Sequence, residues 1–335
     1  MKRLLLNLVL FGVSCVIALV ALELGVRGFI PQFDPSGSLE FHIGDDHVPL
    51  GTPDQVGRQY KNTGDFDVEV VFNRYGLRDR KDLGLSHPGD LFVVGDSYSM
   101  GWGVEERERY SDVLDELVPE RVYNLAIPAD FLGYARLVGY AEKHGAPVKR
   151  LIVGVCMEND LVDYDALGDV PVRGAKPTGL RRIKALMTTN SGLYLALTTV
   201  VHQRPVLRET AVRAGLIVDN IAGMRRNQFS EAVLAMSVER LRHLDERYDA
   251  TVLVIPSRGV WVGGNEETET RVHDRFVASL LEAKMEVVDL RPIFEATGDP
   301  MQFHFANDGH WNAKGHAVAA AALHERLTAH SASRS

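Results

Sequence analysis

A chain of 335 residues with a formal net charge of -8 and a pI near 5.9 has room for one large domain or two small ones with ample core, and its acidic balance argues against nucleic acid as a partner. Its cysteines, Cys15 and Cys156, lie in unlike places, one in an apolar N-terminal run and one in a predicted core strand, which speaks against a disulfide between them. No Cys/His spacing of a zinc site occurs, so neither a metal nor a cofactor is expected.

Met1-Lys2-Arg3 opens onto an apolar run, residues 4–22, broken only by Asn7, Ser14 and small residues. About 20 such residues suffice to cross the hydrocarbon core of a bilayer as a helix. Basic residues precede the run and Asp34, Glu40, Asp45 and Asp46 follow it, so the start is expected to stay cytoplasmic and the bulk to be exported. A removed signal has a shorter apolar region and a small-x-small cleavage site, and that pattern is poor around Ala18 and Ala21. Gly12 also stands where a lipobox before Cys15 would carry leucine. Residues 1–27 are therefore read as an uncleaved transmembrane signal-anchor in the cytoplasmic membrane, in preference to a cleaved signal or a soluble core helix.

Residues 28–64, rich in Pro, Gly and Asp, read as a linker, and 65–330 as the globular domain. Asp67-Val68-Glu69-Val70 alternates like an exposed strand, and Asn73-Arg74-Tyr75-Gly76 looks like a turn. Then Leu91-Phe92-Val93-Val94 stops abruptly at Gly95-Asp96-Ser97, as a buried parallel strand does at the edge of its sheet. Further strands are predicted at 121–125, 150–155, 251–256 and 285–290. Helices are predicted at 105–117, 131–144, 229–248, 266–284 and 312–330, the last capped by Asn312. Strands alternating with helices imply an α/β class with a five-stranded parallel sheet and right-handed crossovers. Residues 161–227 interrupt the alternation with a loop-like stretch at 170–177 and helical patterns at 193–201 and 209–222. They read as a helical insertion, either a cap over a site or plain crossover packing.

Sites in such sheets form at the carboxyl ends of the strands. Ser97 follows the first strand of the alternation, Asn159 the third, and Asp308 and His310 precede the last helix. An acyl-transfer site needs a serine, an imidazole to take its proton, a carboxylate to orient the imidazole, and donors for the oxyanion. These four residues fill those roles. Each also has a structural reading: Gly-Asp-Ser as a capping turn, Asn159 as a loop bond, Asp308 as an Asx-turn, His310 as packing.

Gly95-Asp96-Ser97, the loop from Asn124 to Ala129, Asn159-Asp160 and Asp308-x-His310 together resemble the blocks of the SGNH/GDSL hydrolases. The wording Asp308-Gly309-His310-Trp311-Asn312-x-x-Gly315-His316, with the lead-in from Asn73 to Asp79, is similar to the membrane-anchored bacterial branch, related to alginate O-acetylation proteins. The resemblance implies a flavodoxin-like three-layer α/β/α fold and ester chemistry on acylated carbohydrates, lipids or small esters. It also implies Ser97 as nucleophile, His310 as base, Asp308 as its partner, and the Ser97 N–H, the Ala129 N–H and the Asn159 side chain as the oxyanion hole. Ala129 replaces the family's usual glycine, and the Asp-to-His spacing is one residue shorter than in many members, as in the acyltransferase-like relatives.

Arg258 after the fourth strand, Trp102 and Trp311 are candidate substrate contacts, through a carboxylate or a sugar face. His304 and His316 rank below His310 as the base, the first for want of a neighbouring carboxylate and the second for lying within the last helix. The expected function is a serine esterase acting on short-chain O-acyl esters outside the cytoplasmic membrane. The alternatives are an O-acyltransferase for cell-envelope or exported polysaccharide using the same triad, and a catalytically silent glycan-binding or assembly protein.

Overall fold

The computed structural model describes residues 2–35, 38–161, 179–217, 221 and 230–334. In chain order it runs from helix α1 (Lys2–Phe29) through four short strands, β1 (Phe41–Ile43), β2 (Pro49–Gly51), β3 (Val56–Tyr60) and β4 (Asp67–Val71). Strand β5 (Leu91–Val94), helices α2 (Ser97–Met100) and α3 (Tyr110–Leu117), β6 (Val122–Asn124), α4 (Phe131–Lys143) and β7 (Arg150–Cys156) follow. Helices α5 (Leu180–Asn190), α6 (Gly192–Gln203) and α7 (Pro205–Arg213) precede α8 (Glu231–Tyr248), β8 (Ala250–Ile255) and α9 (Glu266–Glu282). The chain ends with β9 (Glu286–Asp289), α10 (Leu290–Glu295) and α11 (Ala313–Arg334). It divides into two compact units, the smaller holding residues 1–38, 60–67 and 173–217.

The larger unit is built on a five-stranded sheet of order β6-β5-β7-β8-β9, parallel throughout. Side chains alternate faces along a strand, so a strand covered on both sides must be apolar at every position. That is what β5 shows. Phe92 and Val94 join a core with Leu137 of α4, Leu241 of α8 and Phe276 of α9. Leu91 and Val93 join a second core with Leu114 of α3, Phe294 of α10 and Leu323 of α11. The sheet thus carries helices on both faces, the expected three-layer α/β/α arrangement. Crossovers leave β5 and β7 toward opposite faces, the first through α3 on one side and the second through α8 on the other. That divergence opens a crevice at the carboxyl ends of these two strands.

The stretch read as a linker is more structured than its composition suggests. β1 pairs antiparallel with β2, and Val48 and Leu50 are buried in the α4-side core. Asp46 and His47 adopt positive φ between the two strands, so the turn residues that made the segment look irregular are those that fold it back. Strands of three residues are too short to leave a periodic signal. Asn73 closes the next turn by accepting from the Tyr75 and Leu77 N–H groups and donating to the Asp79 carbonyl.

In the smaller unit α1 is the single helix among the described residues long and apolar enough to cross a membrane, a property shared by signals and anchors. Its last turns receive α6. Glu23 accepts from the Gly192 and Leu193 N–H groups at 2.8 and 3.0 Å and from the Ser191 hydroxyl at 2.8 Å. A Cβ at position 192 would stand 2.7 Å from the Phe33 carbonyl oxygen, so glycine permits this approach. Of the helices predicted in the insertion, that at 193–201 is observed as Gly192–Gln203 and that at 209–222 begins earlier, at Pro205, and ends at Arg213. Proline is favoured in the first turn because its missing N–H would be unpaired there. The loop-like stretch at 170–177 lies outside the described residues.

Candidate active site

Ser97 opens α2 just past the end of β5. Asp96 caps that helix, its carboxylate accepting from the Tyr98 N–H at 2.8 Å. The tight turn exists because position 95 lacks a side chain: a Cβ there would stand 2.1 Å from Ser99 Oγ. A Cβ at Gly154 on the adjoining β7 would meet the same oxygen at 2.2 Å. Ser99 Oγ in turn accepts from the Tyr110 hydroxyl at 2.9 Å. Gly95 just past β5 and Gly154 on β7 therefore seat α2 against the sheet and hold Ser97 at its rim. As the first residue of a helix, Ser97 presents an N–H with no acceptor inside the helix.

Ser97 Oγ lies 2.8 Å from His310 Nε2, and His310 Nδ1 lies 2.5 Å from Asp308 Oδ1. The same carboxylate oxygen accepts from the His310 backbone N–H at 3.1 Å, which fixes the side chain relative to the ring. The imidazole side chain is 23% exposed and the carboxylate 8%, so the ring is partly open to solvent while the carboxylate beside it is shielded. With Asp308 accepting at Nδ1, the ring carries its proton there and offers Nε2 as a base toward the serine.

Asn159 follows β7 and donates from Nδ2 to Asp96 Oδ2 at 3.0 Å. An amide nitrogen carries two hydrogens, so one remains beyond that bond. Burial pushes the Asp96 carboxyl up, and the Asn159 donor, the His310 charge and the backbone N–H groups of Tyr98 and Ser99 work against that rise. Ala129 lies in the loop after β6, packed against the α4-side core. It is absent from the positive-φ residues, so alanine fits there without the strain a glycine-only conformation would impose.

Trp102 lies near-parallel to the His310 ring, centroids 5.6 Å apart and planes 24° from each other, half buried beside the imidazole. Its loop is braced from below by a buried cation. Arg78 donates to the carbonyls of Gly101 and Val104 at 2.5 and 2.7 Å, and Arg109 reaches over to the Arg78 carbonyl. Burial, then the Arg109 charge, pushes the Arg78 guanidinium down to about 10.

Two residues expected to touch substrate are instead buried. Trp311 is fully enclosed, edge-on to Tyr98 and Phe294 at centroid distances of 5.2 and 5.6 Å. Gly315 lets α11 close over it, since a Cβ there would come within 2.9 Å of Trp311 Cβ. Arg258 is 4% exposed and spends its charge on Glu158, Nη2 to Oε1 at 2.7 Å and Nε to Oε2 at 3.1 Å. Its guanidinium lies under Gly309, where a Cβ would be 2.7 Å from Nη2. The fork thereby ties the loop of Asp308 and His310 to the segment that carries Asn159. Tyr98, not singled out by the sequence, adds a second tie by donating to the Gly309 carbonyl at 2.7 Å.

The other histidines of the motif region are structural. His316 accepts the Tyr110 N–H at 3.3 Å and stacks on that ring, joining α11 to α3. His304 sits among the rings of Trp261 and Phe294. Burial pushes both down to about 3. An unfolded histidine titrates near 6.5, so the unfolded chain takes up protons that the folded one refuses. Stability from these groups is complete above about pH 6.5 and is lost as the pH falls toward 3. His304→Phe is expected to retain about 2 kcal/mol of what the natural chain loses between pH 6.5 and 5, read as urea-unfolding free energies at the two pH values. An equal loss in both proteins would contradict a neutral buried ring.

Cys15 and Cys156 are both free thiols. Among the described residues no cluster of His, Cys, Asp or Glu has the arrangement of a metal site.

Residues 232–334 match the family described as SGNH hydrolase-like domain, acetyltransferase AlgX. No curated protein matches the sequence significantly. Among solved structures, a member of the lipolytic protein G-D-S-L family from Veillonella parvula is 13% identical, with 71% of this chain and 98% of that one covered and a TM-score of 0.43. A lipase/acylhydrolase from Enterococcus faecalis is 10% identical over 72% of this chain and 96% of that one, TM-score 0.42. A carbohydrate esterase family 2 enzyme with a carbohydrate-binding domain from Corynascus thermopiles is 11% identical over 73% and 67%, TM-score 0.41.

Proposed function

We propose that this chain, which carries an SGNH hydrolase-like domain related to acetyltransferase AlgX, is a serine O-acyl esterase held on the cytoplasmic membrane by α1 with its larger unit outside. The observation that carries the reading is the continuous relay from Ser97 Oγ through His310 to Asp308, with contacts of 2.8 and 2.5 Å. His310 Nε2 takes the Ser97 proton as Oγ attacks the ester carbonyl. The tetrahedral oxyanion is held by the Ser97 N–H and the second hydrogen of Asn159 Nδ2, with the Ala129 N–H as the third donor. Collapse expels the alkoxide, which takes the proton from His310 and leaves an acyl group on Ser97. Water then gives a proton to His310 and attacks the acyl carbonyl, and Ser97 recovers its proton as the acid departs. The charged imidazolium formed twice in each turnover meets the Asp308 carboxylate on one side and the face of Trp102 on another, both favourable to a cation.

The match to an acetyltransferase domain favours a second reading, in which a sugar hydroxyl takes the place of water in the second half. The chemistry up to the acyl-enzyme is the same. Purified protein incubated with an acyl donor and glycans separates the two, because transfer yields acylated sugar and hydrolysis yields only free acid. In both, the substrate is an acylated carbohydrate or a small ester.

Asn159→Ala tests the oxyanion assignment. It is expected to lower kcat by about 10²–10³ with little change in KM, as loss of one transition-state donor does elsewhere. A variant retaining full kcat would remove Asn159 from the chemistry.

A further inference from the structure

We propose that α5–α7 form a platform lying on the surface of an anionic phospholipid bilayer, the same bilayer that α1 crosses. The inference rests on the anchor reading of α1 and goes beyond it, because it assigns a lipid-binding surface to helices elsewhere in the chain.

The first observation is one of level. The apolar run of α1 ends at Glu23, the first charged residue after Arg3. At about 1.5 Å per residue, a run of about 20 residues crosses a core of about 30 Å. Glu23 and Arg27 therefore fall at the headgroup boundary. The amino end of α6 is fixed at that point by the three bonds to Glu23. Arg27 adds a salt bridge to Glu23 at 2.6 Å and donates to the Asn190 carbonyl at 2.5 Å. The α5–α6 junction is thus held at membrane level by the anchor itself.

The second observation is a pattern of exposure. On α5, Ile183, Leu186 and Met187 recur at helical spacing and are 57%, 54% and 41% exposed. Leu197 of α6 and Val206 of α7 are 59% and 76% exposed. Large apolar side chains turned outward on three consecutive helices are costly against water and are what an interfacial helix presents to lipid.

The third is charge. Residues 179–217 contain six Lys and Arg against the single acid Glu209, within a chain whose formal net charge is -8. Arg182 and Lys184 are exposed on α5 beside its apolar row. Basic residues bordering a lipid-facing stripe select anionic headgroups over zwitterionic ones.

The test uses the full chain in nanodiscs, one copy each, made from zwitterionic lipid or from a mixture with anionic phosphatidylglycerol. Resistance of the membrane-bound protein to carbonate extraction is measured first, so that failure of the anchor is seen separately from failure of the platform. An environment-sensitive dye is placed at Leu186→Cys, or at Thr188→Cys on the opposite side of the same helix, with Cys15→Ala in both and Cys156 left buried. Lipids spin-labelled near the headgroup should quench the dye at 186 at least about twofold more than at 188, and more in anionic discs. Arg182→Glu with Lys184→Glu should remove the anionic preference. Equal quenching at the two positions, or no dependence on anionic lipid, overturns the proposal. A dye at 186 shielded from aqueous iodide but untouched by the labelled lipids would mean that another part of the chain covers these side chains, and overturns it as well.

Discussion

Ser97→Ala should lower turnover of a short-chain aryl ester by on the order of 10⁴-fold or more, while thermal unfolding stays close to that of the natural chain. The size follows from the non-additivity of triads: once the nucleophile is gone, the base and its carboxylate have nothing to activate, and what survives is the contribution of binding and the oxyanion donors. The intact fold follows from local structure. The Ser97 hydroxyl meets His310, whereas the cap that starts α2 belongs to Asp96, and the seating of α2 belongs to Gly95, Gly154 and Ser99. Alanine is also a good helix former and fits this half-buried position. Unchanged turnover in Ser97→Ala would remove the serine from the mechanism, and loss of both turnover and fold would show that the hydroxyl is structural.

Arg258→Ala should be costly for a different reason. Removing Arg258 takes the bidentate partner from Glu158, which is only half-buried, so the cost is expected to fall below the about 3–5 kcal/mol typical of a fully buried pair. Burial pulls the Arg258 guanidinium down, but the Glu158 bond and charge, with Tyr98 and Asp308, together hold it above its usual range, so the cation is present at any working pH. Because Arg258 lies under Gly309, its loss should also loosen Asp308 and His310 and lower kcat in the fraction that still folds. Arg258→Lys retains the charge without the bidentate geometry and is expected to recover only part of the stability. Urea midpoints and kcat for a neutral ester separate this role from substrate binding. A substrate contact would leave the midpoint unchanged, and that result would contradict the positioning role.

The parts of the fold legible in the sequence were those whose physical demand is simple. Strand β5 has to be apolar on both faces and is bounded by Asp90 and Gly95, so its limits stand in the sequence. Helix α9 begins with Glu266, Glu267 and Glu269 in its first turn, where the helix dipole favours acids. The three-residue strands β1 and β2 and the four-residue α2 leave no trace in the sequence because each is shorter than the period that would reveal it.

At the site, the meeting of Ser97, His310 and Asp308 is an expectation from the resemblance, since acyl transfer needs a serine, an imidazole and a carboxylate together, and the three side chains lie in hydrogen-bond contact. Arg258 and Trp311, by contrast, lie buried where the sequence suggests substrate contacts. A cation or an indole at a strand end looks the same in sequence whether it faces the crevice or is covered, and only the packing of Glu158, Gly309 and Gly315 decides. The supporting residues Asp96, Tyr98 and Glu158 carried a faint signal, their placement within a residue of Ser97 or Asn159. Their partners are 63, 211 and 100 residues away in the chain. No local pattern encodes such pairings.

The central claim is that Ser97 becomes covalently acylated during turnover. The most direct measurement mixes the full-length protein with an activated acetyl ester, quenches in acid during the steady state, and maps the adduct by peptide mass spectrometry. The account predicts one acetyl group on the peptide containing Ser97, absent in Ser97→Ala and accumulating when His310 is replaced by a residue too weak a base to clear it. Turnover without any acyl adduct on that peptide, or with the acetyl group on another side chain, would contradict it.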